Sequence, residues 1–210
     1  MKINVRIRRT GGSRGSYLQS YSLGLEGNRT VLGVLLEIQA ADPSLVFRYG
    51  CRFKHCGLCG ITINSRPYPA CLAEVRGDLE LAPLERLPVT ADLAVERRFY
   101  YELFRKHEVA LPPSEPPEGN FALSSLYRQL LSCTECFCCL ATCPRFELQG
   151  SFPGPLFFVK VAQALLNPLK PKLKLPITRK DLEQCLDCRR CRCPYGVPIT
   201  NAVQYLLSIS

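Results

Sequence analysis

The residues best suited to chemistry are cysteines, and they fall into three groups. The chain has 210 residues and 13 cysteines. In the first half they run CRFKHCGLCGITINSRPYPAC: Cys51, four residues, Cys56, two, Cys59, eleven, Cys71. Two sulfide-bridged irons need four thiolates, three from one tight loop and one from a more distant strand. This is the plant-type spacing that supplies them to a [2Fe–2S] cluster. Gly50, Gly57 and Gly60 flank or interrupt the loop, where glycine permits positive φ and lets backbone N–H groups approach sulfur. A structural zinc site is the other reading of clustered cysteines, but its usual paired two-residue gaps are not found here.

The second group, CTECFCCLATCP, places Cys133, Cys136, Cys139 and Cys143-Pro144 as C-x2-C-x2-C-x3-C-P. That is the bacterial run for a cubane cluster, in which the fourth cysteine ligates a different cluster. A partner run is therefore required, and CLDCRRCRCP supplies it with Cys185, Cys188, Cys191 and Cys193-Pro194. Its last gap holds one residue where three are usual. The Cα atoms of Cys191 and Cys193 are then at most ~7 Å apart, and in extended chain both thiols would face one side. Serving two clusters needs a turn at Arg192, which Pro194 and Gly196 favour. On that crossover, Cys133, Cys136, Cys139 and Cys193 hold a middle [4Fe–4S] cluster. Cys143, Cys185, Cys188 and Cys191 hold a terminal one.

Twelve ligands leave Cys138, expected to be a buried, unligated thiol. His55 lies inside the first loop, but four cysteines already complete that set, and a Rieske centre would need a second histidine. His107 stands beside Lys106 and Glu108 on an expected surface helix. Arg189, Arg190 and Arg192 flank the terminal thiols, either as solvated charges or as cations that favour the reduced cluster. No general base, nucleophile pair or phosphate-binding glycine loop stands out, so no residue is assigned a catalytic role.

The elements that must position these groups divide near residue 105. KINVRIRR alternates apolar and polar residues and YLQSYSLGL can return as its hairpin partner. In TVLGVLLEIQAAD, Thr30 is an expected N-cap, with Val31, Leu32, Leu35, Leu36 and Ile38 at helical spacing. The second half alternates helix-like segments, FALSSLYRQLLSC and TRKDLEQCL, with cysteine groups. Between the halves, LPPSEPPEG (111–119) is too rich in proline for a helix and reads as a stiff connector or a ligand for a proline-binding module. The expected fold class is α+β, with domains at 1–105 and 106–210.

Charge and composition narrow the function classes. The formal net charge is +9, but the basic residues are scattered without a recognition motif, so no nucleic-acid partner is expected. A basic face for an acidic subunit or anionic lipid fits as well. No apolar h-region follows the first residues and GPLFFVKVAQALL is too short for a span. The expectation is a cytoplasmic protein, where dense cysteines are more often metal ligands than disulfides.

With these motifs in place, the chain resembles the iron–sulfur subunit of succinate dehydrogenase and fumarate reductase, respiratory complex II. The resemblance covers nearly the whole length. It includes TVLGVLLEIQAADPSLVFRYGC, LAPLERLPVTADLAVERRFYYELF, the cubane run, FPGP at 152–155 and the closing CP. It implies an N-terminal β-grasp plant-type [2Fe–2S] ferredoxin domain and an all-helical bacterial-type ferredoxin domain. It also implies a flavoprotein partner whose FAD oxidises succinate or reduces fumarate, and a membrane-anchor or other acceptor subunit holding the chain peripherally at the inner face of the cell membrane. In the common family pattern the third centre is a [3Fe–4S] cluster, held by the equivalents of Cys143, Cys185 and Cys191. Here Cys188 adds a fourth thiol. The family's quinone-site Trp and His are replaced by Leu148 and Leu186, and the chain has no Trp. The acceptor is thus open between a membrane quinone and a thiol/disulfide couple.

Overall fold

Strict alternation along the first strand sends Ile3, Val5, Ile7 and Arg9 inward and their neighbours outward. The computed structural model describes residues 2–10, 15–107, 109, 122–168, 177–188 and 190–210. They form two compact units, Met1–Glu96 with Thr134–Ala141, and Arg97–Cys133 with Thr142–Ser210. The proline-rich stretch 111–119 and Arg189 lie outside the described residues.

In the first unit, β1 (Lys2–Thr10) pairs antiparallel with β2 (Ser16–Gly24), from Lys2 opposite Gly24 to Thr10 opposite Ser16. The expected hairpin is therefore present. Helix α1 (Val31–Ala41) follows, then β3 (Gly60–Ile63), β4 (Arg66–Pro69), β5 (Leu79–Ala82) and the small pair β6 (Val89–Ala91) and β7 (Ala94–Val95). The main sheet has the order β2-β1-β5-β3-β4. Strand β5 runs parallel to β1 and antiparallel to β3.

Thr30 caps α1, its Oγ1 accepting from the Gly33 N–H at 3.2 Å. The helix buries Val31, Leu32, Val34, Leu35 and Ile38 in the core with Ile3, Val5 and Ile7. Each such side chain contributes about 1.5–3 kcal/mol when removed from water.

Arg9 occupies an inward position of β1 and is only 4% exposed. Its guanidinium is satisfied by Asp42 Oδ2 at 3.0 Å, Gln19 Oε1 at 2.8 Å, Tyr21 OH at 2.8 Å and Ser44 Oγ at 2.9 Å. Arg9 Nε also lies 3.1 Å from Asp92 Oδ2, an ion pair. Asp92 in turn accepts from the Thr10 and Val46 N–H groups, both at 2.8 Å. This network ties β1 and β2 to residues 42–46, the segment leading into the first cysteine loop.

The described part of the second unit is helical. It holds α2 (Arg98–Lys106), α3 (Ser125–Leu130), α5 (Pro155–Leu166), α6 (Arg179–Cys188) and α7 (Ile199–Ser208), while α4 (Cys138–Thr142) begins in the first unit and ends in the second. Pro155 opens α5 at its first turn, where a missing N–H costs nothing. Helix α5 packs on α7 and α3, and α7 also meets α6. Phe104 stacks on Phe157 with centroids 5.4 Å apart and meets Tyr100 edge-on at 4.5 Å. Strands and helices together make the α+β class. Among the described residues no helix is long and apolar enough to cross a membrane.

Candidate iron–sulfur sites

The first loop is built around a thiol that gathers backbone donors. The N–H groups of Phe53, His55 and Cys56 each lie 3.3 Å from Cys51 Sγ, and the Cys51 N–H lies 3.4 Å from Cys56 Sγ. Arg52 and Lys54 are left-handed, with φ of 57° and 62°. That alternation turns successive N–H groups toward one side, forming an anion-binding nest. These three donors draw the Cys51 thiol down to about 7. His55 thus serves through its backbone, and its ring lies against Phe53 instead.

Cys59 and Cys71 lie deeper, both buried. Burial pushes the Cys59 thiol up to about 12, although the Cys71 N–H donates to it. A bare thiolate is disfavoured there, and a bound iron would supply the positive charge that offsets the burial. Ala70 separates Cys71 from the end of β4, and its N–H donates to the Cys59 carbonyl at 2.8 Å, fixing the two cysteines side by side. Cys51, Cys56 and Cys59 each receive an N–H donor, and with Cys71 they make a thiol set suited to a sulfide-bridged cluster.

The second run is divided between the units. Cys136 and Cys139 belong with the first, Cys133 and Cys193 with the second. Glu135 and Phe137 are left-handed, with φ of 57° and 65°, repeating the alternation of the first loop. Cys138 is buried, with Sγ 3.9 Å from the Cys136 carbonyl oxygen.

In the second unit, Cys143, Cys185, Cys188 and Cys191 line one cavity, and Cys193 is not among its lining residues. Burial pushes the Cys185 thiol up to about 12, reinforced by the neighbouring Cys143 and Cys188 and opposed by Arg145. Arg145 and Arg190 both line the cavity. Arg190 stands out in the sequence beside the terminal thiols, whereas Arg145 is marked only by its place directly after Cys143-Pro144. Arg145 Nη1 donates to Gln184 Oε1 at 2.7 Å, holding it beside α6. Leu186 lines the same cavity, whereas Leu148 lines a larger one of ≈ 750 Å³ beside α2. Residues 191–193, where a turn at Arg192 is expected, have no regular structure, and a hydrogen-bonded turn follows directly. It spans Cys193 to Gly196, with the Gly196 N–H donating to the Cys193 carbonyl at 3.1 Å and Gly196 at φ 71°.

Residues 4–102 match the 2Fe-2S iron-sulfur cluster binding domain, and residues 132–198 match the 4Fe-4S dicluster domain. The two matches define an iron–sulfur protein with a [2Fe–2S] domain followed by a dicluster domain. The chain is 29% identical over 160 residues to the fumarate reductase iron-sulfur subunit of Haemophilus influenzae, covering 66% of this chain and 62% of that one. It is 26% identical over 200 residues to a subunit of the fumarate reductase (CoM/CoB) of Methanothermobacter marburgensis, covering 91% of this chain and 41% of that one. It thus spans less than two thirds of the length of either curated relative. A chain of the Mycobacterium smegmatis Sdh1 complex in the apo form superposes with a TM-score of 0.82 at 25% identity, covering 99% of this chain and 95% of that one. The chain is thus similar to iron–sulfur subunits of succinate dehydrogenase and of fumarate reductase.

Proposed function

We propose that this chain is the electron-transfer subunit of a succinate/fumarate oxidoreductase complex, relaying electrons between the FAD of a partner flavoprotein and a distal acceptor. The observation that carries this reading is two cluster-binding domains in series on one chain, with cysteine sets spaced for three clusters. Iron–sulfur clusters supply one-electron carriers, which lets the two electrons of a reduced flavin leave singly. The chain's own residues bind the iron, screen the sulfur with N–H donors and exclude water.

The proposed [2Fe–2S] ligands are Cys51, Cys56, Cys59 and Cys71. The middle [4Fe–4S] cluster takes Cys133, Cys136, Cys139 and Cys193, and the terminal one takes Cys143, Cys185, Cys188 and Cys191. The shared cavity of the last four supports a fourth iron there in place of a [3Fe–4S] centre. The β2-β1-β5-β3-β4 sheet, with β1 and β5 parallel at its centre, supports the β-grasp reading of the first domain. We take the domains as 1–105 and 106–210. No residue of the chain is proposed to bind the organic substrate. Attachment to the cytoplasmic face of the membrane would run through an anchor or other acceptor subunit, aided by the +9 charge.

The acceptor is a membrane quinone or a thiol/disulfide couple, and likeness to the CoM/CoB relative makes the second worth testing directly. The test is co-purification with the flavoprotein, followed by fumarate reduction driven by a quinol analogue or by thiols. Turnover with either donor that is lost when the iron–sulfur chain is omitted is the expected result. Flavoprotein turnover indifferent to this chain would refute the reading.

A further inference from the structure

Two glycines of the first cysteine loop stand where no side chain can fit. A Cβ built on Gly57 would fall on the carbonyl oxygen of Thr134, with the Thr134 carbonyl carbon at 2.8 Å and the Cys136 N at 3.0 Å. A Cβ built on Gly60 would collide with the carbonyl oxygen of Cys136, with its carbonyl carbon at 3.4 Å. The obstructing atoms are backbone, which cannot swing aside as a flexible side chain does. Gly57 also has φ +64°, but Gly60 is not in the left-handed region, so space alone demands glycine at position 60. Close approach is not general in this unit, since Gly24 and Gly77 have nothing within 4 Å.

The two contacts join chemically equivalent places. Gly57 follows Cys56 and Gly60 follows Cys59, while the opposing strip contains Cys136. Both strips carry left-handed residues, Arg52, Lys54 and Gly57 in one and Glu135 and Phe137 in the other, and in the first the N–H groups of Phe53 and His55 lie against Cys51 Sγ. A route from Cys56 or Cys59 to Cys136 therefore runs along backbone bonds and crosses a single van der Waals gap. Electron transfer weakens steeply with through-space distance, so the width of that gap matters more than the length of the bonded path.

We propose that Gly57 and Gly60 are positioning residues for electron transfer, pressing the backbone of the first cluster's loop against the backbone that carries Cys136. The proposal rests on the cluster reading above. One electron leaves the reduced [2Fe–2S] centre, which is oxidised, and enters the [4Fe–4S] centre, which is reduced. No bond breaks and no proton moves. In the complex the reductant is a reduced flavin, and in the test it is dithionite.

The test uses the full chain with its clusters assembled anaerobically. Low-temperature paramagnetic resonance reads the spin relaxation of the reduced [2Fe–2S] signal at partial and at full reduction. In the unaltered chain, relaxation should quicken once the middle cluster is also reduced. Gly60→Ala, with iron content unchanged, should lose much of that quickening, and Gly77→Ala should retain it. Full quickening in Gly60→Ala, or none in the unaltered chain, overturns the proposal. So does a Gly60→Ala chain that keeps the first cluster but cannot assemble the middle one, because the glycine would then serve assembly. An unaltered chain without iron–sulfur signals sinks the cluster reading itself, and this proposal with it.

Discussion

Cys51 and Cys59 belong to one proposed ligand set yet meet opposite electrostatics. N–H donors draw the first thiol down to about 7, and burial pushes the second up to about 12. The same contrast runs through the terminal set, where Arg145 opposes the burial of Cys185. Loss of that cation should disfavour the more negative, reduced cluster. Arg145→Leu is accordingly expected to lower the terminal cluster's reduction potential by on the order of 50 mV, roughly 1 kcal/mol for a one-electron couple. A redox titration followed by paramagnetic resonance measures it, and an unchanged potential would mean that Arg145 is only a structural partner of Gln184. Two cysteine variants separate the ligand sets. Cys188→Ala should convert the terminal cubane to a three-iron centre, seen as a new signal in the oxidised protein. Cys193→Ala should damage the middle cluster and stop electron flow. If all clusters survive in an active Cys193→Ala complex, the crossover assignment fails.

At the scale of elements, the Arg9 network governs how β1, β2 and residues 42–46 hold together. Arg9→Met would strand the buried Asp92 carboxylate, 3% exposed, without its cation. A loss of about 3–5 kcal/mol in denaturant unfolding is expected. The network also sets the response to pH. Burial, and then the hydrogen bond to Asp42, raises the Tyr21 hydroxyl to about 12. Its folded value therefore exceeds the unfolded value of ~10, so its stabilisation is complete below pH ~10 and is lost as pH climbs toward 12. Asp42 moves the other way, held well below the usual carboxylate range by donors from Ser44, Tyr21 and Arg9. Its stabilisation is present above pH ~4 and is lost as pH falls further. Tyr21→Phe should flatten the alkaline decline in thermal midpoint between pH 10 and 12. An identical decline in the variant would exclude Tyr21 as its source.

Much of this level was legible in the sequence because its signals are local. Alternation in β1, the Thr30 cap and the spacing of Leu32, Leu35 and Ile38 are set by neighbours within a few residues. The Arg9 network was not legible, because a polar residue at an inward strand position names no partner, and Asp42 and Asp92 lie far along the chain. Cysteine spacing brought out the candidate ligand sets. It said nothing of Arg145, whose relevance depends on where α6 packs. Nor did it tell that Thr134–Ala141 belongs with the first unit. That packing depends on the absent side chains of Gly57 and Gly60, and a missing atom leaves no periodic signal.

At the scale of the whole molecule, clusters bound as proposed would be part of the core as well as the conducting path. Two domains of about 100 residues each have limited cores, and metal binding to their loops is also folding free energy. Chelation of iron should therefore leave a poorly folded chain, with loss of the cooperative thermal transition. The central claim is the presence of one [2Fe–2S] and two [4Fe–4S] clusters on this chain. Iron and acid-labile sulfide analysis of anaerobically assembled protein, read together with low-temperature paramagnetic resonance, tests it most directly. The expected result is about ten irons per chain and no intense signal from an oxidised three-iron centre. A colourless protein holding zinc would contradict it outright, and an intense oxidised [3Fe–4S] signal unchanged by added ferrous iron would contradict the fourth ligand, Cys188.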